Sequence, residues 1–442
     1  MPPEGELSTQ TGVKGVGAKS SDSLVSKIGL KEVQVDDKLY NANDLASIHP
    51  GGQVFVRAFA GSDATEAFMS YHRRQFPHSK YTKHLVGSTK ARKTLEDDKD
   101  YWELCREMQK VLPVHQSFAP WHYFLKVAVL LGVAVYLEYY MHVNKAYTIA
   151  LSSLIGWVYA LVGLNIQHDA NHGAISRYGL VNRVLGLTQN WIGGSAIDWI
   201  HQHVVQHHVN TNDVDHDPDM LGSDVLRINP TKERYSGQAW QHLYVFGLLA
   251  LFGINYIFSG LVHLLKGQHL KHMSELLWSH RLFDTCTWAF FMARWAVYPV
   301  YSTGSYMPLL TTLPMYCVGG FYLSFFFIIS HNFVGADMLD SKEDSNPKSF
   351  LYKQAATSSN VGGSFLCFIN GGLNYQIEHH LFPRISHTHY PTIAPFVREF
   401  CAKKNIPYVH FPTVAANMGS CCQHLYNMGN NDKCTYNAKK RN

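Results

Sequence analysis

Three histidine-rich stretches constrain the fold of this chain more than any other feature of its sequence. They read His168-Asp-Ala-Asn-His172, His201-Gln-His-Val-Val-Gln-His-His208 and Gln376-Ile-Glu-His-His380. Each stretch lies at the edge of a long apolar segment. Residues four positions apart share one face of a helix, so His168 can point with His172, and His203 with His207, into one site. So many crowded imidazoles predict a single metal centre built from all three stretches.

The overall composition favours a membrane protein. Charged residues make up 16% of the 442 residues, below the roughly 25% that is usual in soluble domains. The net charge of +5 is not gathered into a basic arm with interleaved aromatic residues, so the sequence predicts no nucleic-acid partner. The eight cysteines form no Cys-x-x-Cys pair, which favours a reducing, cytosolic face.

A small α+β domain is predicted over residues 24–95, after a disordered N-terminus at residues 1–23. It contains His49-Pro-Gly-Gly52 and then Gly61-Ser-Asp-Ala-Thr65, followed by Phe68 and His72. Either histidine alone would be read as an ordinary surface residue. Together the two motifs closely resemble the haem-binding pattern of cytochrome b5. That resemblance implies haem b with His49 and His72 as its two axial ligands, an arrangement suited to electron transfer.

An all-α membrane domain is predicted over residues 122–442, after a linker at residues 96–121, and it ends in a cytosolic tail. His122–Met141 and Tyr147–Ile166 are apolar and about as long as the roughly 20 residues that cross a bilayer, so they predict a first transmembrane hairpin. Of three further apolar segments, Trp288–Ser302 and Met307–Ser330 are predicted as the second hairpin. Leu243–Leu265 is assigned as an interfacial or re-entrant helix, because basic residues follow it and an odd number of crossings would separate the histidine stretches.

The metal ligands that these stretches offer are mostly imidazoles. They are His168, His172, His203, His207, His208, His331, Gln376, His379 and His380. Imidazole suits iron, zinc and copper alike, but a fused haem electron carrier implies a redox-active metal, and iron is the economical choice. The set is large enough for two non-haem iron ions with open positions. Asp169, Asp217 and Asp219 are predicted to orient imidazole N–H groups.

The three histidine stretches behind a cytochrome b5 domain resemble the membrane front-end fatty-acid desaturases. In that family the third stretch begins with Gln, as it does at Gln376. The resemblance implies a cytosolic cap that carries a diiron site. It further implies that the enzyme uses O2 to insert a cis double bond into a long-chain polyunsaturated acyl group, between an existing double bond and the carboxyl end. It also implies electrons from NADH through cytochrome b5 reductase, membrane lipid as a partner, and a multi-pass location in the endoplasmic reticulum membrane. Whether coenzyme A or a glycerolipid carries the acyl group stays open.

The position of the new double bond is predicted from similarity alone. Gln167–Ala174 and Ser330–Phe333 resemble algal delta-5 desaturases that act on twenty-carbon substrates. A delta-6 desaturase of eighteen-carbon substrates and a fatty-acyl hydroxylase are alternatives, because the same histidine pattern can serve each reaction. A membrane-anchored haem electron carrier whose histidines bind metal structurally is the alternative that is not an enzyme.

Overall fold

The computed structural model describes residues 28–89, 98–219, 225–267, 273–339 and 348–431. The disorder predicted for residues 1–23 lies outside these ranges, as do residues 24–27 and 90–95 of the predicted haem domain and the last part of the predicted tail.

The N-terminal domain is a three-stranded antiparallel sheet with three short helices. Its elements are β1 (Glu32–Val35), β2 (Lys38–Asn41), α1 (Ala42–Ile48), α2 (Gln53–Ala58), α3 (Thr65–His72) and β3 (Leu85–Ser88), and the strand order is β1-β2-β3. Asp36 adopts a positive φ of 57°, which allows the tight turn between β1 and β2. Val33, Val35 and Tyr40 are buried from the sheet against the helices. The predicted small α+β domain is present.

The rest of the described chain is almost wholly helical. Its helices are α4 (Lys99–Val111), α5 (Trp121–Val143), α6 (Ile149–Val162), α7 (His168–Asn171), α8 (Gly179–Gly186), α9 (Thr188–Trp191), α10 (Ala196–Trp199), α11 (Gln241–Lys266), α12 (Trp278–Met292), α13 (Tyr298–Thr303), α14 (Met307–Thr311), α15 (Leu313–His331), α16 (Phe350–Ala356), α17 (Ser364–Asn370), α18 (Gln376–Leu381), α19 (Tyr390–Lys403) and α20 (Val414–Asn430). Three π-helical segments, Gly163–Gln167, Ile200–His207 and Ala293–Val297, interrupt them. A parallel pair of strands, β4 (Ser359–Val361) and β5 (Val409–Phe411), completes this part.

Small residues let three long helices pack closely. A Cβ atom added to Gly156 in α6 would lie 2.2 Å from the Met315 carbonyl oxygen of α15. One added to Gly320 in α15 would lie 2.2 Å from the backbone nitrogen of Gly253 in α11. Close backbone approach through glycine is a common way for helices to associate in membranes, where apolar burial gives no preference for one helix over another. α15 is therefore the central helix, with α6 and α11 against it.

Four helical stretches of the described chain are long and apolar enough to cross a membrane. They are Val114–Val143, Ile149–Asn171, Ser236–Lys266 and Met307–His331. By length and composition, then, α11 qualifies and the predicted span Trp288–Ser302 does not, which is the reverse of the sequence assignment. The physical reason is composition, because Arg294 and the polar side chains of Tyr298, Tyr301 and Ser302 make the latter segment less apolar than α11.

The contacts of α11 and α12 indicate which of these two helices runs away from the layer that bears the histidines. Near one end of α11, His263 lies 3.1 Å from Asp198, immediately before the second histidine stretch. At the other end, Gln241 donates to the Leu425 carbonyl of α20. By contrast, α12 starts near the histidine stretches, and the Trp295 ring beyond it contacts the ring of His142 at the far end of α5. Both ends of α11 thus lie in the layer that bears the histidines, so the interfacial assignment of this helix stays a prediction.

The predicted linker contains α4, which is packed between the two domains. Tyr101 is fully buried and donates to the Met69 carbonyl of α3 at 3.2 Å and to the Leu381 carbonyl of α18 at 3.0 Å. Leu104 and Met108 join the same apolar cluster. This segment therefore connects the haem-type domain to the third histidine stretch by packing as well as by chain continuity.

Candidate metal centre

The three histidine stretches and the end of α15 meet in one buried centre. The first stretch follows the π segment Gly163–Gln167 at the end of α6, and the second lies within the π segment Ile200–His207. His331 is the last residue of α15, and the third stretch forms α18. Every predicted ligand is buried.

A first cluster contains His168, His172, His203 and His379, whose ligand atoms all lie within 4.8 Å of one another. The Nε2 atom of His208 adds to it, at 3.2 Å from His203 Nε2 and 3.0 Å from His379 Nε2. Five imidazoles from all three stretches thus converge on one point.

A second cluster contains His207, His331 and His380, again with ligand atoms within 4.8 Å of one another. The side-chain amide of Gln376 lies 3.0 Å from His331 Nε2 and 3.2 Å from His380 Nε2. Gln376 therefore occupies the position that a further histidine would fill in this cluster.

The second stretch divides between the clusters in a way that differs from the sequence prediction. An ordinary helix pairs residues four apart, which would place His203 and His207 in one site. In the π segment the bond from His208 N–H to the His203 carbonyl spans five residues, at 3.0 Å, so these two imidazoles share a face. His207 turns to the second cluster, and His201 belongs to neither among the described residues.

Polar groups outside the clusters hold the Nδ1 atoms of several imidazoles. In the second cluster, Asp217 lies 3.1 Å from His207 Nδ1, Gln354 Oε1 lies 3.0 Å from His380 Nδ1, and the Thr357 carbonyl lies 3.0 Å from His331 Nδ1. In the first cluster, Tyr390 Oη lies 3.3 Å from His379 Nδ1, and Tyr71 Oη lies 2.5 Å from His172 Nδ1. Such partners fix the ring orientation and leave Nε2 to face a metal.

The structure confirms only some of the aspartates that were predicted to orient the imidazoles of metal ligands. Asp217 orients His207 as predicted, and Asp219 lies 3.4 Å from the same nitrogen. The prediction for Asp169 is wrong, because its carboxylate accepts instead from the backbone and side chain of His387 and from Ser386. Asp169 thereby ties the first stretch to the loop after the third.

The electrostatics of the centre favour neutral imidazoles. Burial, followed by repulsion from neighbouring imidazoles, holds the pKa values of His203, His208 and His379 well below their ordinary range. Burial also opposes a charge on His207, but the Asp217 carboxylate outweighs it and raises the His207 pKa. Neutral imidazoles have a free lone pair, which is the form that binds a metal.

The donor set fits a pair of metal ions. Both ring nitrogens of His168, and the Nε2 atoms of His172 and His207, are buried without a hydrogen-bond partner in the described structure. Unpaired buried polar atoms are costly, and a metal at each cluster would satisfy the Nε2 atoms of His172 and His207 and one nitrogen of His168. Imidazole and amide donors suit iron among the divalent transition metals.

The two predicted haem ligands face each other in the N-terminal domain. The ring centroids of His49 and His72 are 5.9 Å apart. Their Nδ1 atoms lie 2.9 Å from the Gly52 carbonyl and 3.2 Å from the Phe68 carbonyl, respectively, so each Nε2 is left for an axial bond. Burial lowers both pKa values, that of His72 to about 3. A largely apolar cavity of about 240 Å³ adjoins both rings, and the arrangement fits a haem held by two neutral imidazoles.

Comparison with known proteins decides the family. The Fatty acid desaturase family profile matches residues 144–412, which include all the predicted metal ligands. The chain belongs to the fatty acid desaturase family. The profile described as Cytochrome b5-like Heme/Steroid binding domain matches residues 33–90. The resemblance to cytochrome b5-fused desaturases is thus confirmed: the protein is an oxidoreductase with a haem-binding domain and histidine clusters compatible with a diiron site.

Several relatives are similar over nearly their whole length. The chain is 43% identical over 406 residues to an acyl-lipid (7-3)-desaturase of Rebecca salina, covering 89% of this chain and 90% of that one. It is 43% identical over 403 residues to an acyl-lipid (7-3)-desaturase of Diacronema lutheri, with 89% of each chain covered. An acyl-lipid (8-3)-desaturase of Physcomitrium patens is 29% identical over 430 residues, covering 89% of this chain and 87% of that one.

A second cavity, of about 300 Å³, opens on the metal side of the desaturase domain. His168, His203, His207 and His331 contribute to its wall from the two clusters. The remaining lining is mainly apolar and comes from α11, α15 and the segment before α7, with Leu164, Leu249, Phe252, Leu323, Phe327 and Ile328 among its residues. A largely apolar cavity thus lies directly beside the metal ligands, as an acyl-chain enzyme requires.

Sequence reasoning missed the outer partners Gln354, Tyr390 and Tyr71. Gln354 lies in a segment without histidines, and Tyr390 follows His387-Thr-His389, which the sequence reasoning did not single out. Tyr71 had one available signal, since it immediately precedes the haem ligand His72.

Proposed function

We propose that this desaturase is a front-end acyl-lipid enzyme of the (7-3) type. We take the two numbers to mean a new double bond three carbons towards the carboxyl end from one at carbon 7, that is, at carbon 4. The observation that carries this proposal is the 43% identity over 406 residues to the (7-3)-desaturase of Rebecca salina. The relatives with the (8-3) designation are less similar, at 29% for the one from Physcomitrium patens.

The delta-5 reaction on twenty-carbon substrates, predicted from the sequence, is the second candidate. A probable Delta(5) fatty acid desaturase of Dictyostelium discoideum is 30% identical over 432 residues and supports it. Both candidates use the same centre and differ only in how far the acyl carboxyl end lies from the metal ions.

The roles of the site residues belong to the proposal. We assign His168, His172, His203, His208 and His379 to one iron, and His207, His331, His380 and Gln376 to the other. When bound, this diiron pair would supply the oxygen activation needed to remove two hydrogens from adjacent methylenes. The apolar residues of the second cavity hold the acyl chain beside these ligands, and their packing excludes water from the reacting carbons.

The proposal also covers the domain limits, the carrier of the acyl group, the source of electrons and the location of the protein. We propose a haem domain at residues 24–95, a linker at 96–121 and a desaturase domain at 122–442. The acyl-lipid designation of the relatives supports a glycerolipid-bound substrate over a coenzyme A ester. Electrons come from NADH through cytochrome b5 reductase. The protein lies in the endoplasmic reticulum membrane with both metal sites on the cytosolic face.

Product analysis tests the proposal. The full chain is expressed in a host that lacks front-end desaturases and is fed polyunsaturated acids of eighteen, twenty and twenty-two carbons. Gas chromatography with mass spectrometry then locates the new double bond, and separation of lipid classes after a short labelling pulse shows where the product first appears. We expect a bond at carbon 4 of acids already unsaturated at carbon 7, first in glycerolipids.

Each other result has a defined meaning. A bond at carbon 5 of twenty-carbon acids, or at carbon 6 of eighteen-carbon acids, refutes the (7-3) assignment and keeps the desaturase chemistry. A hydroxylated product changes the reaction. No product from a haem- and iron-loaded chain favours the electron carrier. The His203→Ala variant is the matched negative control, because it removes one predicted iron ligand outside the haem domain.

A further inference from the structure

Tyr71 joins the haem domain to the metal centre. It lies in α3 directly before the axial ligand His72, and its Oη atom is 2.5 Å from Nδ1 of His172 in the first cluster. The other nitrogen of His172 is buried without a hydrogen-bond partner in the described structure. His172 therefore presents Nδ1 to the haem domain and Nε2 to the metal centre.

The contact between the domains is close at other points as well. Lys353 of α16 pairs with Glu66 of α3, with Nζ–Oε distances of 2.6 and 2.7 Å. A Cβ atom added to Gly179 would lie 2.9 Å from the Gly51 carbonyl, in the loop that follows the haem ligand His49. The docked arrangement is thus held by an ion pair and by close backbone packing, in addition to Tyr71.

The haem cavity itself is completed by the desaturase domain. Its lining includes His172 and Arg384, together with residues of the haem domain such as His49, His72 and Arg74. Burial, and repulsion from Arg73 and Arg74, lower the pKa of Arg384. A cluster of guanidinium groups at one cavity suits carboxylates, which a haem carries as its propionates. The desaturase domain thereby contributes to the haem site.

We propose that Tyr71 is a positioning residue that couples the haem to the metal centre by holding His172. An imidazole that binds metal through Nε2 carries its proton on Nδ1, and that N–H donates to Tyr71 Oη. The haem ligand and the metal ligand are then joined by one stretch of covalent bonds, from His72 through Tyr71, and one short hydrogen bond. With haem and iron bound, each transfer would move one electron from the haem held by His49 and His72 to the metal held in part by His172, and no bond would break. This holds whichever carbon is desaturated.

The test compares two Tyr→Phe variants of the full-length protein. Tyr71→Phe keeps the ring and removes the hydroxyl that contacts His172. Tyr40→Phe is the matched control, because Tyr40 makes a similar 2.6 Å hydrogen bond to His78 inside the haem domain, away from the metal centre. Haem content and thermal unfolding establish that both variants fold. Two quantities are then measured: the rate at which the reduced haem absorption is lost in stopped flow with iron-loaded protein, and the iron retained against a chelator.

We expect Tyr71→Phe to hold iron about 10-fold to 100-fold more weakly, as outer-shell removals typically do, and to oxidise its haem at least about tenfold more slowly even when iron is restored. Reduction of the haem by cytochrome b5 reductase, and both quantities in Tyr40→Phe, should match the wild type. Wild-type haem oxidation in Tyr71→Phe overturns the proposal. If that variant loses haem, the iron retained against the chelator is compared with that of haem-free wild type: weaker retention in Tyr71→Phe supports the proposal and equal retention overturns it.

Discussion

Replacing Gln354 tests whether the outer hydrogen bonds of the metal centre maintain its affinity. Gln354 is 1% exposed. Its Oε1 atom accepts from His380 Nδ1 at 3.0 Å and from Thr211 at 3.1 Å, and its Nε2 atom donates to the His208 carbonyl at 2.9 Å. One amide thus holds a ligand of the second cluster and the backbone of a ligand of the first. Methionine fills a similar volume and can make none of these bonds.

The expected effect of Gln354→Met follows from these contacts. Loss of an outer partner lowers metal affinity by about 10-fold to 100-fold, or about 1.4 to 2.8 kcal/mol. The His208 carbonyl, left unpaired, costs a further ~1 to 3 kcal/mol of folding stability. His380 belongs to the second cluster, so iron is lost there first, and at limiting iron the iron-to-haem ratio falls from about two towards about one.

Metal analysis and calorimetry measure these effects on purified protein. Iron per haem is determined after dialysis against graded chelator, and thermal unfolding is followed in the same detergent. Gln423→Met is the control, because Gln423 is exposed on α20 and its side chain donates to Asn427 of the same helix. A Gln354→Met protein with the wild-type chelator curve would refute the role assigned to this amide.

Three further outcomes are expected. His203→Ala should abolish product while the haem spectrum persists, because this imidazole belongs only to the metal centre; intact product formation would contradict the site. His49→Ala should abolish haem binding and turnover even when separate cytochrome b5 is supplied, and near-wild-type activity would show that the fused domain is not the required donor. Gly320→Ala should lower stability by about 1 to 3 kcal/mol through overpacking against α11, whereas Gly247→Ala, where an added Cβ meets nothing within 4 Å, should not lower it, because alanine favours the helix interior.

Much of the centre was predictable from local sequence because helical spacing alone brings ligands together. Gln376 and His380 are four apart on α18 and lie 3.2 Å from each other across the second cluster. The haem motif was equally local, since His49 begins a short Pro-Gly-Gly turn after α1 and His72 ends the short helix α3. The family and its cofactors followed from these patterns, and the comparisons confirmed them.

The remaining features depend on contacts between distant segments, which spacing rules do not reach. The π geometry that pairs His203 with His208 arises within a well-packed helix, and its residues match an ordinary helix equally well. Asp169 was predicted to orient the imidazole of a metal ligand, yet its partner His387 is far along the chain and is not among the predicted ligands. Likewise, the sequence assignment weighed the basic residues after α11 and the number of crossings above hydropathy, although α11 is more apolar than Trp288–Ser302.

Under the proposed function, in which the second cavity holds the acyl chain and is here called the acyl cavity, electron supply and substrate access are separated. The haem cavity reaches the first cluster at His172, whereas the acyl cavity reaches the centre at His168, His203, His207 and His331. His172 is not among the residues of the acyl cavity, so the haem domain and the acyl chain approach the metal ligands from different sides. A docked haem domain therefore leaves the acyl cavity open, and electrons can be delivered with substrate in place. This arrangement suits a reaction in which oxygen should be activated only when an acyl chain is present to react.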